Sequence, residues 1–149
     1  MMKSNELPAM AQAADELNVS TGATLVGPGR AAHGYDVVSF FSGQPVMGTD
    51  KFAVAHEGGT YRFATEANLS AFNANPDRYL PAYGGYCAFG TSVGKKFDGD
   101  PAFWKVVNDK LYFNLNGDIQ ATWFKDIPGN IVKADANWRR IKSAPVSSL

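Results

Sequence analysis

Lys51-Phe52-Ala53-Val54-Ala55-His56-Glu57-Gly58-Gly59-Thr60-Tyr61-Arg62-Phe63 decides how the chain is read. Phe52, Val54 and His56 alternate with Lys51, Ala53 and Ala55, which is the period of a strand. Glu57-Gly58-Gly59 then supplies a turn, and Tyr61 and Phe63 share one face of the returning segment. This is a β-hairpin. A second hairpin is predicted where Trp104-Lys105-Val106-Val107 and Leu111-Tyr112-Phe113-Asn114-Leu115 flank Asn108-Asp109-Lys110, and its aromatic density calls for a buried face.

Helices are expected between and after the hairpins. Thr65 is placed to cap a helix from Glu66 to Asn73, with Glu66 at the positive end of its dipole. Asn75-Pro76 opens a further turn through Leu80, and Asp100-Pro101 repeats that cap-and-proline device ahead of Phe103-Trp104. A helix from about Gly117 to Asp126 and another from Asn130 follow, the second with Ile131, Ala134, Trp138 and Ile141 in one stripe. Ala31 to Phe41 suits a strand or a buried helical turn. The sum is an α+β domain, a small antiparallel sheet built from two hairpins and packed with several short helices. No internal repeat and no block of like charge stands out.

At 149 residues, with 45% apolar and 19% charged residues, the chain is sized and composed for one globular domain. Residues 1–30 read as a tail with a short helix over about residues 8–17, able to dock on the body or on a second copy as a homo-oligomer contact. Residues 31–142 form the domain, and residues 143–149 a frayed end. Fourteen basic and fourteen acidic residues cancel, which argues against nucleic acid as a partner. No apolar run is long enough for a membrane span. The expected location is the cytoplasm if the chain is complete as it stands, and the periplasm if a leader has been removed.

The reactive candidates centre on Tyr83-Gly84-Gly85-Tyr86-Cys87-Ala88-Phe89-Gly90, which holds the only cysteine. A helix beginning near Tyr86 would lower the thiol pKa and make Cys87 a soft metal ligand or a nucleophile. His33 and His56 supply imidazoles, and thiolate with imidazole suits copper or zinc. Cys87, His33 and His56 are therefore the candidate metal ligands. Two other readings stand beside this one: a thiol enzyme or redox sensor using Cys87, and a non-catalytic interaction module in which Cys87 only packs. The metal reading and the module reading both make the chain a non-enzyme. Asp36 reads best as a turn residue bonding the backbone, and Met47 as packing or surface. Asp98-Gly99-Asp100 lacks the twelfth-position carboxylate of a calcium loop. Tyr83, Tyr86, Phe89, Trp104, Tyr112 and Trp123 are assigned to the core.

Between about Ala31 and Trp138 the chain resembles the YHS domain family, in particular its longer bacterial members. The resemblance is carried by Gly34-Tyr35-Asp36-Val37-Val38 with Phe40-Phe41, by Gly59-Thr60-Tyr61-Arg62-Phe63, and by Phe72-Asn73-Ala74-Asn75-Pro76-Asp77-Arg78-Tyr79-Leu80. Tyr83-Gly84-Gly85-Tyr86-Cys87-Ala88, Asp100-Pro101-Ala102-Phe103-Trp104, Lys110-Leu111-Tyr112-Phe113-Asn114, Trp123 and Ala134-Asp135-Ala136-Asn137-Trp138 extend it. The resemblance implies metal handling in the short versions of the domain. Where those versions carry cysteines, this chain has Ser39, Ala64 and Asn68. It also has Val37 where long relatives commonly have proline after the Tyr-Asp pair.

Overall fold

The computed structural model describes residues 15–19 and 29–149. The helix expected over residues 8–17 falls outside them except for Asp15, Glu16 and Leu17, which form a turn and a bend. The architecture is α+β. Two short 3-10 turns, Ala32–Gly34 and Val37–Ser42, lead into a hairpin of β1 (Thr49–His56) and β2 (Gly59–Phe63). Helix α1 (Glu66–Ala74) follows, with Thr65 Oγ1 accepting from Asn68 N at 3.1 Å, and then the single-turn α2 (Pro76–Tyr79). Asn75 precedes α2 without bonding it through its side chain. A 3-10 turn at Ala82–Gly85 and α3 (Ala88–Ser92) lead to β3 (Asp100–Val107) and β4 (Lys110–Asn114). Helices α4 (Gly117–Phe124) and α5 (Ile127–Ile141) close the domain.

Of the two alternatives for Ala31 to Phe41, the helical turn is the one formed, as two 3-10 turns. Two boundaries depart from the sequence reading. Asp100-Pro101 begins a strand, not a helix, because Asp100 Oδ1 takes up Ala102 N locally while the segment pairs with β4. The last helix starts before Asn130: Asp126 accepts from Gly129 N at 3.0 Å and Pro128 occupies the first turn, where its missing N–H costs nothing. The hairpins stay separate, each a two-stranded antiparallel sheet.

The domain is an internal duplication, contrary to the expectation of no repeat. The strands of the second half and its first long helix start 51 residues after their counterparts: Thr49 and Asp100, Gly59 and Lys110, Glu66 and Gly117. Both hairpins slip register at the same place, between Thr49 and Ala53 in one and between Asp100 and Trp104 in the other. Backbone angles repeat as well. Ala32, His33 and Gly34 have φ of 53°, 51° and 83°; Tyr83, Gly84 and Gly85 have 58°, 61° and 81°. Asp36 N donates to Val46 O and Cys87 N to Phe97 O, both at 2.9 Å. Equivalent positions fill equivalent places in the interior: Ala31 and Ala82, Val37 and Ala88, Tyr61 and Tyr112, Phe72 and Trp123, all buried.

The two cores are not independent. That of the first half, built on Val37, Phe40, Tyr61, Phe63 and Phe72, is completed by Leu111 and Phe113 of β4. Phe40 meets Phe113 and Trp104 at ring distances of 5.4 and 5.6 Å. The second core gathers Ala82, Tyr83, Ala88, Tyr112 and Trp123 against Ala134 of α5. Of the aromatics assigned to the interior, Phe89 and Trp104 are only half-buried. Residues 143–149 end in a 3-10 turn at Val146–Ser148, and Ser143 and Val146 bond Glu16 and Asp15. Among the described residues no helix is long and apolar enough to cross a membrane.

Candidate functional site

The duplication explains the surroundings of Asp36 and Cys87, which occupy equivalent positions. Asp36 is fully buried. Its Oδ1 accepts from Val38 N (2.9 Å) and Ser39 N (3.2 Å), and its Oδ2 from Ala64 N (2.9 Å) and Asn68 Nδ2 (2.8 Å). This is the turn-bonding role expected of it. Cys87 caps α3, also fully buried, with Sγ accepting from Gly90 N at 3.3 Å and donating toward Asn114 Oδ1 at 3.5 Å. The helix begins at Ala88, and the expectation of a lowered thiol pKa reverses. Burial pushes the thiol up, against the N–H groups of Gly90, Leu115 and Phe89, which pull it down.

The candidate metal ligands do not come together. His33 Nε2 lies 2.8 Å from Asp98 Oδ1 at the surface. His56 sits in the first hairpin, edge-on to Tyr61 and Phe72, with Nε2 2.9 Å from Glu57 Oε2 but not aligned for a hydrogen bond. Among the described residues no three His, Cys, Asp or Glu side chains form a group able to hold a metal ion. Met47 is half-exposed.

Instead, a cleft of about 440 Å³ opens where the first hairpin, the connector 80–84 and α5 face one another. Aromatic walls come from Tyr61, Tyr83, Tyr112 and Trp138. Charged groups of both signs reach it: Lys110 and Lys142, and Glu16, Glu57 and Asp135. Tyr83, held with positive φ at the start of its turn, donates its hydroxyl to Asp135 Oδ1 at 2.8 Å, tying the connector to α5. Burial and then the Asp135 carboxylate raise the Tyr83 pKa. Tyr112 is raised for the same two reasons. Lys110, half-buried at the start of β4, is pushed down by desolvation, with Asp77 and Asp135 pulling the other way. Desolvation in the cleft thus favours the neutral form of the phenols and works against the charge on the lysine, which Asp77 and Asp135 support.

Sequence reading missed Lys110, Tyr83 and Asp135 as site residues. Tyr83 was assigned to packing, and Asp135 adjoins the apolar stripe of α5 without belonging to it. The signal for Lys110 lay in the repeat, because its counterpart in the first half is Gly59. No family model matches the chain, and no curated protein or solved structure matches it.

Proposed function

We propose that the protein is a small-molecule-binding domain whose cleft takes a compact zwitterionic ligand with an apolar or aromatic body. The observation that carries this reading is Lys110, a half-buried ammonium within the field of Asp135, in a cavity walled by four aromatic rings. A volume of about 440 Å³ lies in the range of about 300–1,000 Å³ common to such sites. Lys110 meets an anionic group, Asp135 and Glu57 meet an amine, and the rings take the body between them. Titrating isotope-labelled protein with free amino acids and small aromatic carboxylates tests it by chemical-shift mapping. Shifts confined to Tyr61, Tyr83, Lys110 and Asp135, and lost in Lys110→Met, are expected; shifts scattered over the surface would refute it.

A second reading concerns lineage. The YHS-type assignment gains support from one relationship: Ser39, Ala64 and Asn68, which stand where metal-associated versions carry cysteines, all converge on the Asp36 carboxylate. In this reading a hydrogen-bond network occupies the place of a metal site. Copper or zinc binding at Cys87 finds less support, since its sulfur is fully buried. Elemental analysis of protein purified without chelator, beside Cys87→Ala, tests the metal reading; a stoichiometric metal lost in that variant would reinstate it. A buried sulfur equally disfavours Cys87 as a nucleophile.

A further inference from the structure

Residues 15–19 pass over the body between the two halves, and the surface beneath them is cut to receive them. A Cβ built on Gly59 would lie 2.4 Å from Leu17 Cδ2, and one on Gly84 would lie 2.1 Å from the Glu16 carbonyl oxygen. Both glycines thus leave room for the passing chain. The segment is held by polar bonds. Asn18 N donates to Gly84 O at 2.8 Å, and Asn18 Nδ2 to Asp98 Oδ1 at 2.8 Å and Gly85 O at 3.2 Å. Val146 N donates to Asp15 Oδ2 at 2.8 Å, and Ser143 Oγ to Glu16 Oε2 at 2.9 Å.

The strongest hold is Lys96. This residue is 5% exposed, and its ammonium donates to the carbonyls of Asp15, of Lys142 (2.8 Å) and of Ala144 (2.8 Å), using all three of its N–H groups. It also lies 5.4 Å from the ring centres of Tyr86 and Trp138. One buried cation therefore ties three chain segments together. Leu17 and Val19 pack against the core of the first half but stay half-buried, and Val19 makes a single antiparallel bridge to Ala31, so residues 15–19 lie on the core without being enclosed by it. Glu16 and Leu17 form one wall of the cleft.

We propose that residues 15–19 are a strap seated in a built groove, latched by Lys96, and that its release opens the cleft from that side. The gating role rests on the cleft being the ligand site, but the opening itself does not. A half-buried segment held by two apolar side chains, one bridge and the Lys96 latch opens at lower free energy than the fully paired strands beneath it. Its release exposes Lys110 to solvent without unfolding the hairpins.

Two measurements on the full chain test this without a ligand. The first is hydrogen exchange of the Asn18 amide beside that of Phe113 in β4. Asn18 is expected to exchange at least about tenfold faster than Phe113, and faster again in Lys96→Met, with Phe113 unchanged. Gly59→Ala, which presses on Leu17, should act in the same direction if the lysine variant folds poorly. Equal rates for both amides, moving together in either variant, would make residues 15–19 part of the core and overturn the proposal. The second is acetylation of Lys110 by acetic anhydride, read by mass spectrometry. Faster labelling in both variants is expected; unchanged labelling with a released strap would show that it does not wall the cleft. Failure to find a ligand for the cleft would leave both measurements standing.

Discussion

The Tyr83 hydroxyl donates to Asp135 Oδ1 at 2.8 Å, joining a left-handed turn of the second half to the helix that follows both halves. Neither residue has a counterpart pair in the first half, where position 32 is alanine. The bond is thus an addition specific to the cleft. Tyr83→Phe is expected to lower stability by about 1 kcal/mol, the usual net worth of one such bond, as measured by urea denaturation. Because Asp135 is exposed, Asp135→Asn should cost no more.

Lys110→Met is expected to leave stability unchanged or raised, since the lysine is pushed down by desolvation and its methylenes already pack. Ligand binding should fall at least about tenfold if a charge-assisted bond is removed. Denaturation and shift-mapping titrations on one sample separate the two effects.

Asp36 and Cys87 do the same work with different atoms, and the comparison predicts unequal costs. Asp36→Ala strands the N–H groups of Val38 and Ala64 and the Asn68 amide, while Ser39 N keeps the Asp36 carbonyl, and should cost about 3 kcal/mol or more. Cys87→Ala removes one weak sulfur acceptor and should cost about 1 kcal/mol. In native protein, iodoacetamide should modify Cys87 only as fast as the chain unfolds. Modification that outpaces unfolding would show an opening route to the sulfur.

Alkaline stability follows from the phenols. Burial, then Asp15 and Asp98, push Tyr86 up to about 12 from an ordinary value of 10.0. Tyr61, Tyr83 and Tyr112 are raised as well, burial first. The native state therefore keeps protons that the unfolded chain has lost. The stability these phenols confer is full below pH 10 and falls as pH rises through 12. Phenolate absorbance in a pH titration should show these tyrosines ionising together with unfolding.

Gly48 and Gly99 are equivalent positions with the same steric limit. A Cβ would meet the Arg62 carbonyl carbon at 2.3 Å in one case and the Gly85 carbonyl oxygen at 2.1 Å in the other. Gly48→Ala and Gly99→Ala should each cost about 3 kcal/mol, because backbone cannot give way as a side-chain tip can. A neutral result at either position, read by thermal unfolding, would break the equivalence.

The hairpins, the Thr65 cap and the stripe of α5 were legible because each is written in local spacing and turn chemistry. The duplication was not, although Gly34-Tyr35 and Gly85-Tyr86, Phe52 and Phe103, and Tyr61 and Tyr112 all stand 51 apart. At most other positions the halves preserve geometry and not residue type: aspartate answers cysteine, phenylalanine answers tryptophan, and the two bulged ladders share a register with few shared side chains. The cleft was hidden for a related reason. Its lysine, phenol and carboxylate lie on three elements that meet only after the hairpins have packed, and no spacing along the chain joins them.

The contact between Phe40 and Phe113 also bears on how the protein is made. When α1 has left the ribosome, the first half has all its strands and helices, yet Leu111 and Phe113 of its core have not been synthesised. Phe40 and its neighbours must wait through the next forty or so residues of translation with that side open. The nascent first half is thus an apolar surface in search of β4, and a chain stalled before Lys110 is the form that chaperones would be expected to hold.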